Sequence, residues 1–199
     1  MKNIGLTDKN FVHTVIRKRP EDVHKGDCGR ILIAAGSREM AGAAVFTAKA
    51  AMKCGTGLAS VCTSKKIFPV IQISVPEAIC TSWGKIKGGP LQYDAIAIGP
   101  GMGVDRRTKK ILERILTEYG GTVIIDADGL NTLAAYESLQ RLCRRTKGSV
   151  IVTPHLGEAA RLLGKGAGGL SREEIGQALV EKLGAVAVVK GPATLVALS

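Results

Sequence analysis

The 199-residue chain predicts a three-layer α/β domain, a mainly parallel sheet flanked by helices. Three observations carry that expectation. Short apolar, often β-branched runs alternate with helical patterns along the whole chain, as successive β-α units do. The chain is rich in small residues, with 25 glycines and only 4% aromatics, which favours close helix-on-sheet packing over an all-β architecture. Glycine-rich or polar loops follow directly after several strand-like runs. In a parallel sheet they would gather at the carboxyl edge, where open α/β sheets bind their ligands.

Composition bounds the answer further. A chain of this length is one domain by default, with a core large enough to stand alone. No apolar run approaches the roughly 18 residues of a membrane span. Met1 to Asn10 carries no apolar signal-peptide core, so a cytoplasmic location is expected. The five cysteines are odd in number and form no C-x-x-C pair, so neither a disulfide framework nor a zinc site is indicated. Cys54, Cys62 and Cys80 sit in apolar company and read as buried small hydrophobes. Lys and Arg total 28 against 17 acidic residues, a net charge of +11. That balance suits an anionic partner (a phosphorylated small molecule, a nucleotide or nucleic acid) or a solvated basic surface. The clusters Arg17-Lys18-Arg19, Arg106-Arg107-Lys109-Lys110 and Arg141 to Lys147 lack interleaved aromatics, and no nucleic-acid motif appears. Nucleic acid is therefore not an expected partner.

Taken in order, Leu6 to Ile16 suits a short helix with Thr7 as its N-cap. Arg17 to Asp27, polar and containing Pro20, is a connector. His24-Lys25-Gly26-Asp27-Cys28-Gly29 leads into a strong strand, Arg30 to Ala35; its glycines and basic pair suit a phosphate-contacting flap or an ordinary loop equally. After the loop Gly36 to Gly42, Ala43 to Cys54 is a small-residue helix closed by Gly55-Thr56-Gly57. Leu58 to Cys62 is a strand. Ile67 to Ser74 is apolar without a clear period, and Pro76 to Cys80 suits a short strand. Ser82 to Pro90 is turn-rich, with Trp83 a packing residue.

Ala95 to Ile98 suits a buried strand. In the loop Gly99-Pro100-Gly101-Met102-Gly103, three glycines let backbone approach a ligand closely. Asp105 to Tyr119 is an amphipathic helix with Ile111, Leu112, Ile115 and Leu116 on one face, stopped by Gly120-Gly121. Thr122 to Ile125 is a β-branched strand. The stretch Asp126-Ala127-Asp128-Gly129-Leu130-Asn131 can serve a metal-bound phosphate or a hydroxyl, or simply cap a helix through Asp128 and Asn131. No element is assigned from Thr132 to Gly148. Ser149 to Val152 is a strand, and Thr153-Pro154-His155-Leu156-Gly157-Glu158 follows it in the same strand-to-helix position as the earlier loops. Ala159 to Leu163 is helical, and Lys165 to Leu170 is a glycine-rich break. Ser171, with Glu174 three residues on, starts a helix that runs to Leu183. Ala185 to Val189 is a strand, and Lys190-Gly191-Pro192-Ala193-Thr194 turns into Leu195 to Leu198.

Standard nucleotide motifs are absent. Gly84-Lys85 and Gly164-Lys165 are followed by Ile86 and Gly166, not by Ser or Thr, so no Walker loop exists. No G-x-G-x-x-G follows a strand. However, the His24 loop, the Ala43 helix with its Gly55-Thr56-Gly57-Leu58 ending, Gly99 to Gly103, Asp126 to Asn131, Thr153 to Glu158 and Lys190 to Thr194 occur in this order. Together, from about His24 to the last residue, they resemble the ADP/ATP-dependent NAD(P)H-hydrate dehydratases, which have a ribokinase-like fold.

That resemblance implies a repair lyase. NADH or NADPH that has taken up water on its nicotinamide ring is dehydrated back to the working cofactor at the expense of ADP or ATP, with Mg2+. By resemblance, Ala43, Gly101, Gly103 and His155 contact the hydrated dinucleotide. Lys190, Gly191, Pro192, Ala193 and Thr194 contact the adenine nucleotide. Lys25, Asp126, Asp128, Asn131 and Glu158 are candidate phosphate or Mg2+ contacts, and no dedicated metal site is identified. Relatives suggest a homo-oligomer, with no membrane or nucleic-acid partner. Family members continue to a glycine-rich motif ending Gly-Asp, whose amides form an anion hole and whose Asp is the expected base. No such motif occurs by Ser199. The expectation is a single domain, 1–199, lacking that portion, with weak binding, little turnover and uncovered apolar sheet and helix faces. Two other readings stay open: a ribokinase-like small-molecule kinase, and a non-catalytic nucleotide-binding module. The sequence does not choose between ADP and ATP, or between the two hydrates.

Overall fold

Every strand of the sheet pairs in parallel except the last, and that arrangement decides where the loops fall. The structure, a computed structural model, describes residues 5–16, 18–82, 84 and 92–198. Its strands are β1 (Arg30–Ala34), β2 (Leu58–Thr63), β3 (Ile79–Ser82), β4 (Ala95–Ile98), β5 (Thr122–Ile125), β6 (Val150–Val152), β7 (Val186–Val189) and β8 (Leu195–Ala197). They lie in one sheet in the order β3-β2-β1-β4-β5-β6-β7-β8. Arg30 pairs with Leu58 on one side of β1, and Ile31 with Ala95 on the other. Only β7 and β8 run antiparallel, with Val188 opposite Val196. The direction of winding reverses between β1 and β4, the topological switch point at which such sheets open a crevice.

Helices cover both faces. On one face, α2 (Ala41–Lys53) and α3 (Phe68–Ser74) pack Ala44, Val45, Ala48 and Ile71 on Ile33, Ala35, Ala59 and Val61. The other face holds α4 (Arg106–Glu118), α5 (Asp128–Ala135), α6 (Glu137–Arg145), α7 (Leu156–Leu163) and α8 (Arg172–Leu183). There Leu112, Ile115, Leu130, Leu133, Leu139, Leu162 and Leu179 meet Ile96, Ile98, Val123, Ile125, Val152 and Val189. Alternation along each strand sends the intervening residues to the α2 side, but α2 and α3 lie over β1 to β3. Ala97, Ile124, Ile151, Val186 and Val188 are accordingly only half-buried. They form a half-buried apolar stretch of the sheet beside the part that α2 and α3 cover.

Several boundaries differ from expectation for identifiable reasons. The first helix, α1, spans Lys9–Val15 and is capped by Asp8, not Thr7, because the Asp8 carboxylate accepts the Phe11 N–H. None of its residues is buried. Helix α2 begins two residues early, at Ala41. The aperiodic run before Ser74 is α3, with Pro69 in its first turn, where a missing N–H costs nothing. Strand β3 starts at Ile79, beyond Pro76, pairing Cys80 with Val61. The segment given no element holds α5 and α6, separated at Tyr136, which ends one and starts the other. Cys54 is exposed at the end of α2 and Cys80 is half-buried, whereas Cys62 is fully buried. Arg17 and Trp83, with most of the Ser82 to Pro90 loop, lie outside the described residues.

Candidate functional site

Five consecutive strands, β1, β4, β5, β6 and β7, end at one edge, and the loops that leave them carry the predicted site residues. With neighbouring strands about 4.8 Å apart, β4 to β7 span about 14 Å, long enough for a nucleotide.

The glycine loop comes first. Its Pro100 carbonyl accepts the Gly36 N–H at 2.8 Å, so the loops after β1 and β4 are stitched together at the switch point. Gly101 has φ +67°, and a Cβ there would come within 2.8 Å of the Ala43 Cβ. Two predicted dinucleotide contacts are thus adjacent. Ala43 stands in the first turn of α2, which no side chain caps, since Met40 is the N-cap. An uncapped helix start of this kind favours an anionic group. Gly103 has φ +81° and open space where a Cβ would stand.

The β5 loop does not cap its helix with a side chain. The N-cap of α5 is Ala127, which offers no side-chain bond, so Asp128 and Asn131 do not cap this helix. Instead Asp128 Oδ2 accepts the Gly103 N–H at 2.8 Å. Asn131 Oδ1 accepts from Arg161 of α7 at 2.9 Å. Asp126 Oδ1 receives Lys190 Nζ at 2.7 Å, across β6. This pair is partly exposed, at 42% for Lys190 and 34% for Asp126, so solvent screens it and it contributes at most about 1 kcal/mol.

His155 is the N-cap of α7. Its Nδ1 accepts the Gly157 N–H at 3.0 Å, and its Nε2 lies 3.5 Å from Glu158 Oε1, while the ring as a whole is exposed. Glu158 is buried and returns a bond to the His155 N–H at 3.0 Å, completing a capping box. Its role at this edge is therefore to fix His155. His155 also forms a parallel bridge with Lys190, and the Lys190 N–H donates to the Pro154 carbonyl at 2.8 Å. The Lys190 to Thr194 turn is held from α8, where the Arg172 guanidinium donates to the Ala193 carbonyl.

The structure thus gathers Ala43, Gly101, Gly103, Asp126, Asp128, Asn131, His155, Glu158 and Lys190 to Thr194. It does not bring Lys25 to them. Lys25–Cys28 is a 3-10 turn before β1, packed on Gly57 before β2, at the amino ends of the strands. A loop that precedes a parallel strand cannot lie at its carboxyl end. Sequence reasoning missed Arg161 and Arg172, which orient Asn131 and the β7–β8 turn; nothing local in the sequence marks them. Among the described residues, no three His, Cys, Asp or Glu side chains converge to hold a metal ion.

Comparison with known proteins agrees with this layout. A family model described as NAD(P)H-hydrate dehydratase matches residues 31–199. An ADP-dependent (S)-NAD(P)H-hydrate dehydratase from Listeria monocytogenes is 37% identical over 153 residues, covering 74% of this chain and 53% of that protein. The ADP/ATP-dependent NAD(P)H-hydrate dehydratase from Bacillus subtilis, co-crystallized with ATP/Mg2+, superposes with a TM-score of 0.84 at 31% identity, over 100% of this chain and 70% of the other. A ribokinase-like superfamily protein from Enterococcus faecalis V583 gives 0.82 at 25% identity, over 100% and 72%. The fold is ribokinase-like, as expected. The chain spans about half the length of the Listeria protein and 36% of another curated relative.

Proposed function

The chain belongs to the NAD(P)H-hydrate dehydratase family, and from that premise we propose that its protein dehydrates hydrated NADH or NADPH to NAD(P)H at the expense of ADP or ATP. One observation carries the reading to this chain. The glycine loop with Ala43, the His155 cap and the Lys190 turn, far apart in sequence, meet along one sheet edge in the order a dinucleotide and a nucleotide would need.

In this reading, Ala43, Gly101 and Gly103 offer backbone and an uncapped helix start to the dinucleotide. His155 presents Nε2 to it. Lys190, with the Gly191-Pro192-Ala193-Thr194 turn, takes the nucleotide. The terminal phosphoryl moves to the ring hydroxyl as the phosphoanhydride bond breaks. The ring nitrogen lone pair then expels phosphate, and loss of a neighbouring ring proton restores the dihydronicotinamide. Such transfer depends on positioning and charge neutralisation. Mg2+ would travel with the nucleotide phosphates, since the carboxylates here are individually engaged and form no cage. For the same reason we assign the hydroxyl's base to none of Asp126, Asp128 and Glu158; the expected base is the Asp of the family's Gly-Asp motif. Free thiols at all five cysteines suit a reducing, cytoplasmic setting. The exposed Phe46 and Ile73 on α2 and α3 suit burial in a homo-oligomer.

The test is turnover of hydrated NADH with ADP or ATP and Mg2+, followed by the return of dihydronicotinamide absorbance. It is run on this chain and on one extended through a Gly-Asp motif. Recovery in the extended chain alone supports both the activity and the base. A stable phosphorylated product instead of free phosphate would point to a kinase. No recovery in either, with clean folding, would sink the dehydratase reading.

A further inference from the structure

Arg172 breaks two local rules for a stable helix start, and what it gains lies in another loop. It is the first residue of α8, directly after the Ser171 cap. Positive charge is unfavourable there, because the helix dipole prefers anions at its N-terminus; Glu173 and Glu174 meet that preference instead. The Arg172 Nε is also buried without a hydrogen-bond partner among the described residues, and a desolvated donor of that kind costs stability. Local rules broken without local benefit mark functional positions. Here the benefit falls on the turn after β7. The guanidinium donates to the Ala193 carbonyl, and it fills the space beside Gly191. A Cβ at Gly191 would stand 2.7 Å from Nη2, 2.8 Å from Cζ and 3.1 Å from Nη1 of Arg172. Gly191 is not one of the glycines at positive φ, so space, not backbone conformation, requires glycine there. A trans peptide sets its C=O and N–H in opposite directions. Holding the Ala193 carbonyl toward α8 therefore turns the Thr194 N–H away from α8, the orientation in which a main-chain amide can serve an anionic ligand.

We propose that Arg172 is a positioning residue for the nucleotide, acting through Gly191 and Ala193 to hold the Gly191-Pro192-Ala193-Thr194 turn in the shape that takes ADP or ATP. This rests on the functional reading above. The turn's other bonds lie within it or at its start. Thr194 Oγ1 donates to the Gly191 carbonyl at 3.2 Å, and the Lys190 N–H donates to the Pro154 carbonyl at 2.8 Å. Arg172 ties the far end of the turn to a helix whose Leu179 and Leu183 are fully buried in the core.

The experiment is calorimetric titration of the protein with ADP, paired with thermal melts. Arg172→Ala is expected to weaken ADP binding about tenfold, the loss of one charged hydrogen bond. Its melting temperature should barely change, because the unpartnered Nε leaves with the lost bond. A purely structural role predicts the reverse, a lower melting temperature with ADP affinity intact, and that result would overturn the assignment. Gly191→Ala tests the same contact with Arg172 still present. The three atoms nearest its methyl all belong to the end of the Arg172 side chain, so the guanidinium moves, the fold holds and ADP binding weakens to a similar degree. In the double variant the loss should match that of Arg172→Ala alone, since both changes break one contact. Losses that multiply would show that the two residues act separately and would refute the inference. If both variants bind ADP as the parent does, Arg172 has no part in the site and the functional reading stands. If the parent itself binds no ADP, that reading falls, and this inference with it.

Discussion

Gly99, Gly101 and Gly103 share a loop and positive φ values of 127°, 67° and 81°, yet alanine should act differently at each. At Gly99 a Cβ would lie 1.9 Å from the Asp126 carbonyl oxygen and 2.6 Å from the Gly129 nitrogen. Both are backbone atoms and cannot rotate away. The β4 and β5 loops would have to part, weakening the bond from the Asp126 N–H to Ile98 O. Overpacking and unfavourable φ together outweigh the entropy lost by the unfolded chain, for a net cost of about 3 kcal/mol. At Gly101 the methyl meets the Cβ atoms of Ala43 and Met40 at 2.8 and 2.9 Å. The first turn of α2 can shift, so about 2 kcal/mol is expected. At Gly103 nothing lies within 4 Å, and only the backbone term remains, about 1 kcal/mol or less. Equilibrium urea unfolding of the three variants reads the series directly. Gly103→Ala costing as much as Gly99→Ala would show that conformation, not space, sets the cost, and the argument from close approach would fail.

Other outcomes follow from burial and caps. Thiol labelling at pH 8 should mark exposed Cys54 rapidly and leave Cys62 and Cys143 unmodified until unfolding, since burial pushes both thiols up to about 12. Burial raises the Asp105 carboxyl, but the Thr108 amide and the Arg107 charge outweigh that and hold it below its usual value. Its contribution to stability is thus complete above the unfolded value, near pH 4, and is lost as pH falls through the lower folded one; Asp105→Ala should flatten that part of the unfolding profile and cost about 1 kcal/mol at pH 7 as a lost N-cap. Along β5, Ile125→Ala should cost about 2–5 kcal/mol, because Ile125 is fully buried. Half-buried Ile124→Ala should cost clearly less in the same denaturation assay and should lower dye binding by the uncovered face.

Most strands were legible because each is a short apolar run closed by glycine or a polar turn; β3 was misplaced, since Thr81 and Ser82 break its apolar run. Helices α4 and α8 were legible because Asp105 and Ser171 cap clear periods. Helices α5 and α6 were hidden by their start, where Asp128, Gly129 and Asn131 read as loop chemistry, and by the break at Tyr136. Their cores, Leu130 with Leu133 and Leu139 with Cys143, do follow helical spacing and could have revealed them. The edge of the sheet was legible from loop order alone. What each carboxylate does there was not. Asp126 meets Lys190 at a separation of 64 residues, and only the strand order β5-β6-β7 brings them close. Lys25 lies apart from the other candidates for the complementary reason. Its composition suits a phosphate, but composition does not tell which end of a strand a loop serves.

Those carboxylates change how the basic charge of the chain should be read. Taken alone, a net +11 suggests a cationic cleft waiting for phosphate. Instead the lysine at the proposed nucleotide turn is already neutralised by Asp126. The pair is half-solvated and contributes at most about 1 kcal/mol, and a phosphate oxygen taking the place of Asp126 would meet the same ammonium with the same screening. Exchange of partners is therefore close to neutral. Under the proposed function, the released carboxylate would remain beside the phosphate and limit how tightly a nucleotide is retained.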